Sequence, residues 1–164
     1  MAETILQKIV ARGHYRFVDH ADTWQEAVRL STQSLVDTGY VEPDYYRQIV
    51  DCITKYGPYV VLDHLVAMPH AQEGAGGVRR TGVGFMRVRD AVSFGFDGDG
   101  EEKLARLFFT LAAGNPDEHL YNMQQLIGVF SNTDLLDALM EANSPEDILA
   151  AEAQYPPVLD DEEE

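Results

Sequence analysis

Cysteine is nearly absent. Cys52 is the only one in 164 residues, so no disulfide can close within the chain and no cysteine metal cluster can form. That usage fits a reducing cytoplasm. Cys52 falls within an apolar helical pattern, where a buried thiol is expected. Positive charge is also scarce: 12 Lys and Arg stand against 28 Asp and Glu, for a formal net charge of −16. Five of the negative charges are Asp160 to Glu164, which leaves −11 for the rest of the chain. Such a field repels nucleic acid and anionic lipid and favours a partner with a basic face. No apolar run approaches the roughly 20 residues of a membrane helix, and no leader with a small-residue cleavage site is expected at the N-terminus. The expectation is a cytoplasmic globular protein of one domain.

What is present reads as alternating helices and strands. A short helix is expected around Ile5, Leu6, Ile9 and Val10, then a strand through Tyr15 and Phe17. His14 and His20 fall here and read as surface residues. Asp22 with Gln25 three residues on has the form of a capping box, and Gly39 offers the left-handed stop of that helix. A second helix is expected from Pro43, with Tyr46, Ile49, Val50 and Ile53 on its apolar face. Tyr59 to Leu62 and Val66 to Met68 are apolar runs without alternation, the pattern of a sheet covered on both faces. Strands are expected over Thr81 to Val88, Ala91 to Phe96 and Leu104 to Ala113. Asn115-Pro116 opens a helix, another runs from Asn132 to Ala142, and Ser144-Pro145 begins a third. The fold class that follows is α/β, a single three-layer α/β/α domain with a mixed β-sheet flanked by helices. One domain over residues 1–155 and an acidic, disordered tail over 156–164 complete the expectation.

Chemistry concentrates at Val66-Ala67-Met68-Pro69-His70-Ala71. Proline ends regular pairing and holds the preceding residue extended, so His70 stands where a buried strand gives way to a loop. His119 lies at the start of the helix after the next buried strand. If the two strands are neighbours, both imidazoles share one pocket, with the helix N-terminus as a natural anion site. Imidazole is a competent nucleophile at neutral pH, and a phosphohistidine passes its group on readily. A metal hydrolase using Asp63, His64 and His70 is the competing chemistry. It finds no HExxH or similar spacing, and neither metal nor cofactor is expected.

Tyr56-Gly57-Pro58-Tyr59-Val60-Val61-Leu62 followed by Val66 to Ala71 resembles the IIA domains of the bacterial sugar phosphotransferase system (PTS), in the mannitol–fructose superfamily and nearest its ascorbate-type branch. Glu42-Pro43 with Tyr45-Tyr46, Thr23 to Val28, Arg80-Thr81-Gly82 and the His119 helix agree in order and near-equal spacing, across residues 1 to 150. The resemblance implies that His70 accepts phosphate through Nε2 from the phosphocarrier protein HPr. A cysteine of a IIB protein, working with a membrane IIC, would take it next. It implies that His119 lies beside His70 and helps hold the phosphoryl group. A phosphotransferase activity and sugar transport follow, with ascorbate or a related carbohydrate as cargo.

Two departures stand out. Where the family usually reads Ala-Pro-Gly this chain has Asp63-His64-Leu65, a loop that the resemblance places close to His70, so Asp63 and His64 are candidates for tuning phosphoryl affinity or partner choice; Pro69 is a further phosphoryl- or partner-binding candidate. The mannitol branch carries an arginine where this chain has Thr54, with Arg79 and Arg80 as possible substitutes. A regulatory IIA-like phosphoacceptor that controls a partner, instead of feeding transport, is the alternative from another functional class.

Overall fold

The computed structural model describes residues 3–72 and 76–157. The expected acidic tail lies outside the described residues, apart from Pro156 and Pro157. In chain order the elements are α1 (Ile5–Ala11), β1 (Tyr15–Val18), α2 (Trp24–Asp37), α3 (Tyr45–Tyr56), β2 (Val66–Ala67), β3 (Gly82–Phe96), β4 (Glu102–Ala112), α4 (Pro116–Phe130), α5 (Thr133–Met140) and α6 (Pro145–Gln154).

Alternation along β3 and β4 decides the architecture, because successive strand side chains point to opposite faces. Val83, Phe85, Leu107, Phe109 and Leu111 enter a core with α1, α4, α5 and α6. Met86, Val88, Phe108 and Ala112 enter a second core with α2 and α3. Phe85, Phe108 and Phe109 are fully buried at the centre, each contributing about 2 kcal/mol by removal from water. The sheet order is β1-β3-β4-β2. β3 and β4 pair antiparallel, while β1 joins β3 and β2 joins β4 in parallel. This is the mixed sheet between helical layers that the apolar runs imply. Among the described residues no helix is long and apolar enough to cross a membrane.

Several local expectations are corrected. β3 is one strand, not two: the polar Arg89-Asp90 stretch falls within a register shift between Arg87 and Val92, after which pairing with β4 resumes. Tyr59 to Leu62 is not a strand; only Val61 bridges, to Ala67. The cap of α2 is Thr23, extended at φ −140°, with its hydroxyl accepting from Glu26 N–H. Gly39 (φ +80°) does end that helix. Gly39 N–H bonds Val36 and Tyr40 N–H bonds Leu35, a Schellman closure that needs a residue tolerant of the left-handed region. Pro43 precedes α3, whose first residue is Tyr45. Cys52 is half-buried.

His14 is not a surface residue but is 2% exposed. Its Nε2 lies 3.0 Å from Thr38 Oγ1, and the ring meets Tyr40 edge-on at 4.4 Å. His20 is exposed, between Asp22 and Asp90.

Parallel pairing puts the C-terminal ends of β2 and β4 at one end of the sheet, together with the start of β3. That end carries the candidate chemistry.

Candidate active site

Three successive residues around His70 are each tied down through the backbone. The carbonyl of Pro69 accepts from Leu111 N–H at 2.9 Å, which extends the β2–β4 pairing past the strand proper. Proline has lost its own donor but not its acceptor, so the pairing survives there. The carbonyl of His70 accepts from the Tyr59 hydroxyl at 2.9 Å. The N–H of Ala71 bonds the Tyr45 hydroxyl, which itself donates to the Leu111 carbonyl at 2.9 Å. Burial is the main cause that raises the pKa of both tyrosines, with Cys52 adding to it at Tyr59. Both therefore remain protonated donors at neutral pH.

The imidazole of His70 is oriented as well. Its Nδ1 stands 2.7 Å from the carbonyl oxygen of Met68. A carbonyl only accepts, so Nδ1 carries the proton and Nε2 of the neutral ring keeps its lone pair. Tyr59 meets the ring edge-on, centroids 5.3 Å apart and planes at 88°. The result is a half-buried histidine held by that contact in the tautomer that leaves the Nε2 lone pair free of the proton.

His119 occupies the first turn of α4, half-buried, with its N–H on the Asn115 carbonyl at 2.9 Å. Asn115 caps the helix through Glu118 N–H, and Pro116 fits the first helical position. Thr81 Oγ1 accepts from both Gly114 and Asn115 N–H, at 3.1 and 2.6 Å, and so fixes where the helix begins. The structure thus brings His70 and His119 to the same end of the sheet: one through the Pro69–Leu111 pairing, the other through the short link from β4 into α4.

The other candidates lie elsewhere. The segments 60–62 and 66–68 pair back to back, with Leu62 N–H on Val66 and Met68 N–H on Val60. Asp63 and His64 form the closed tip of that hairpin, and His70 lies beyond its open end. The paired 66–68 run lies between the Asp63–His64 tip and the Pro69–His70 junction, so the loop and His70 flank that run at opposite ends. His64 instead reaches α5, with Nε2 2.7 Å from Asp137 Oδ1. His64 (φ 64°) and Leu65 (φ 63°) both sit in the left-handed region, at a cost of about 1 kcal/mol each. Pro69 is buried and acts through its carbonyl. Arg79 pairs with Glu42 and Arg80 stacks over Tyr40.

Sequence reasoning missed the supporting roles of Tyr45 and Tyr59. A tyrosine on an otherwise apolar helix face and another just ahead of an apolar run were the available signals, because a buried phenol must find a partner.

The sequence profile of the family described as "Phosphoenolpyruvate-dependent sugar phosphotransferase system, EIIA 2" matches residues 9–153. The ascorbate-specific PTS system EIIA component of Escherichia coli (strain K12) is 30% identical over 135 residues, spanning 82% of this chain and 85% of that protein. A Streptococcus pyogenes M1 GAS chain solved as a candidate PTS IIA domain superposes with TM-score 0.78 at 34% identity, over 93% of this chain and 96% of that one. Enzyme IIAMTL of Escherichia coli, solved in complex with phosphorylated enzyme IIBMTL, superposes with TM-score 0.68 at 30% identity, over 85% and 94%. With the fold, the profile match and these relatives in agreement, the chain belongs to the EIIA 2 family of the phosphoenolpyruvate-dependent sugar phosphotransferase system.

Proposed function

We propose that this chain is a cytoplasmic phosphoryl carrier of a sugar phosphotransferase system, over a single IIA domain of residues 1–155, working through Nε2 of His70. In the first step the phosphorus–nitrogen bond on phospho-HPr breaks as one forms to His70 Nε2. In the second, a IIB cysteine thiolate attacks that phosphorus and His70 leaves as neutral imidazole, its Nδ1 proton still held by Met68. The net reaction moves one phosphoryl group and needs neither cofactor nor redox partner.

The observation that carries this reading is the 2.7 Å contact between His70 Nδ1 and the Met68 carbonyl. It selects the tautomer whose Nε2 is nucleophilic, and it stabilises the positive charge that develops on the ring during attack. Tyr45 and Tyr59 hold the loop on either side, so little reorganisation is needed in the transition state. His119 would hold the phosphoryl group in transit. The names of the relatives favour ascorbate or a related carbohydrate as cargo and a IIB protein as acceptor; a membrane IIC would complete the proposed system.

The test uses labelled phosphoenolpyruvate with enzyme I and HPr. The chain should gain one acid-labile, base-stable phosphoryl group, with a phosphorus NMR signature of Nε2-phosphohistidine. His70→Ala should abolish labelling and leave the circular dichroism spectrum unchanged; undiminished labelling of that variant would refute the assignment.

A further inference from the structure

A cavity of about 590 Å³ opens between α1, the 79–83 segment and the first turns of α4. Neither His70 nor His119 lines it. Lys8, Arg12, Arg79 and Arg80 do. They are four of the chain's 12 Lys and Arg, in a protein whose net charge is −16. Lys8 comes from α1 and Arg12 from its C-cap, the other two from a segment far along the sequence, so the fold gathers them. Asp117 and Glu118 are the acidic residues of the lining. Arg79 is engaged by Glu42, and Arg12 makes a loose, exposed contact with Glu3 at 3.9 Å.

The remaining cations are held by rings. The Arg80 guanidinium lies 4.5 Å over the Tyr40 ring, and Lys8 Nζ lies 5.0 Å from the centre of Tyr121. Stacking uses the face of a guanidinium and leaves its N–H edge for an anion. The position of Tyr40 is built in: a Cβ on Gly82 would meet its ring at 2.8 Å, so only glycine there lets the ring lie against the strand. Behind Tyr40, His14 reports the field inside. Burial first, then Arg12 and Arg80, lower its pKa from 6.5 to about 4, so both guanidiniums act on one interior point. Ile5, Ile9 and Val83 supply an apolar wall.

We propose that this cavity is a binding site for a small phosphate monoester, its phosphate held by Arg12 and Arg80 with Lys8, and its organic part against Tyr121 and the apolar wall. Planar guanidinium forks suit phosphate oxygens, and the volume suits a ligand of sugar-phosphate or mononucleotide size. The site is separate from His70, so it stands or falls independently of the phosphoryl-carrier reading.

The experiment is a titration of the full chain, labelled with nitrogen-15, against glucose 6-phosphate, AMP, inorganic phosphate and unphosphorylated glucose in separate arms. Saturable shifts are expected at Arg80, Thr81, Gly82, Gly114 and Asn115 with at least one organic phosphate. Which of the two binds tells a sugar-derived from a nucleotide source. Inorganic phosphate should bind at least about tenfold more weakly, and Arg12→Gln or Arg80→Gln should each weaken the organic phosphate about tenfold. The pKa of His14 should rise on saturation, as the bound anion offsets the two guanidiniums. Thermal midpoints and His70 phosphorylation should be unchanged in both variants. Should Arg80→Gln disturb the fold, Arg12→Gln carries the test. Absence of saturable shifts, equal shifts with glucose, shifts centred on Ala71, or wild-type affinity in the well-folded variants would each overturn the proposal. Inorganic phosphate binding as tightly as the monoesters would overturn its organic part.

Discussion

Tyr59 holds His70 in two ways. Its hydroxyl donates to the His70 carbonyl at 2.9 Å, and its ring meets the imidazole edge-on at 5.3 Å. One contact bears on the backbone and the other on the ring, so a single side chain touches both the position and the plane of the imidazole.

Tyr59→Phe should therefore separate the two. It keeps the edge contact and removes one hydrogen bond, worth about 1 kcal/mol net. Phosphorylation of His70 by phospho-HPr should slow by up to about tenfold, measured by rapid quench, while Tyr59→Ala should slow it further. Equal rates in Tyr59→Phe and wild type would show that the tether is not used.

On the proposed reading, His119 matters most when charge is spread over the phosphoryl group in flight. Losing one donor to such a transition state typically costs on the order of 3 kcal/mol, about a hundredfold in rate. His119→Ala should still accept phosphate at His70 but pass it to IIB far more slowly. His119→Gln, which retains an N–H, should recover part of the rate. Unchanged onward transfer in His119→Ala would make it a residue of the helix start alone.

His14 makes stability depend on pH. Its folded pKa is lowered to about 4, chiefly by burial, so on acidification the unfolded chain takes up the proton first. The stabilisation is complete above about pH 6.5 and is lost as pH falls toward 4, with about 2 kcal/mol gone by pH 5. His14→Gln, which can still donate to Thr38, should flatten this part of the profile. Urea unfolding at about pH 7 and about pH 5 compares the two slopes.

Glu152 acts in the opposite sense. Burial raises its pKa, its Oε1 accepts from the Thr4 hydroxyl at 2.9 Å, and its buried Oε2 has no hydrogen-bond partner among the described residues. Its contribution is full below the ordinary carboxylate range and is lost as pH rises through the raised value, so at neutral pH the charge burdens the α1–α6 contact. Glu152→Gln should stabilise the neutral protein by about 1 kcal/mol and make no difference in acid. A destabilised variant at neutral pH would contradict this.

Helix beginnings were the most legible part of the chain, because their signals are local. Asn115-Pro116, Asn132 and Ser144-Pro145 all cap where their residue types require. The α2 cap fell one residue from its expected place, since Asp22 and Thr23 are both capping types and only the extended backbone of Thr23 decides between them. His14 was misread because its burial depends on Thr38 and Tyr40, which the sequence leaves about two dozen residues away. The strand-end position of His70 was legible from the Pro-His junction. The Nδ1 contact and the two tyrosine tethers were not, because each depends on how separate segments meet.

The order of the strands also constrains how the protein is made. The central pair, β3 and β4, is contiguous in the chain, and both of its flanking strands precede it. A ribosome delivers β1 and β2 first, yet Tyr15 needs Phe85 and Val66 needs Leu107 before either can join the sheet. Val66 and Ala67, paired locally with the 60–62 segment, must therefore wait for their place in the sheet until β4 has emerged. A nascent chain stopped before Leu107 can pair β1 with β3 but has no partner for β2, so the His70 segment takes its place in the sheet only after β4 has been made.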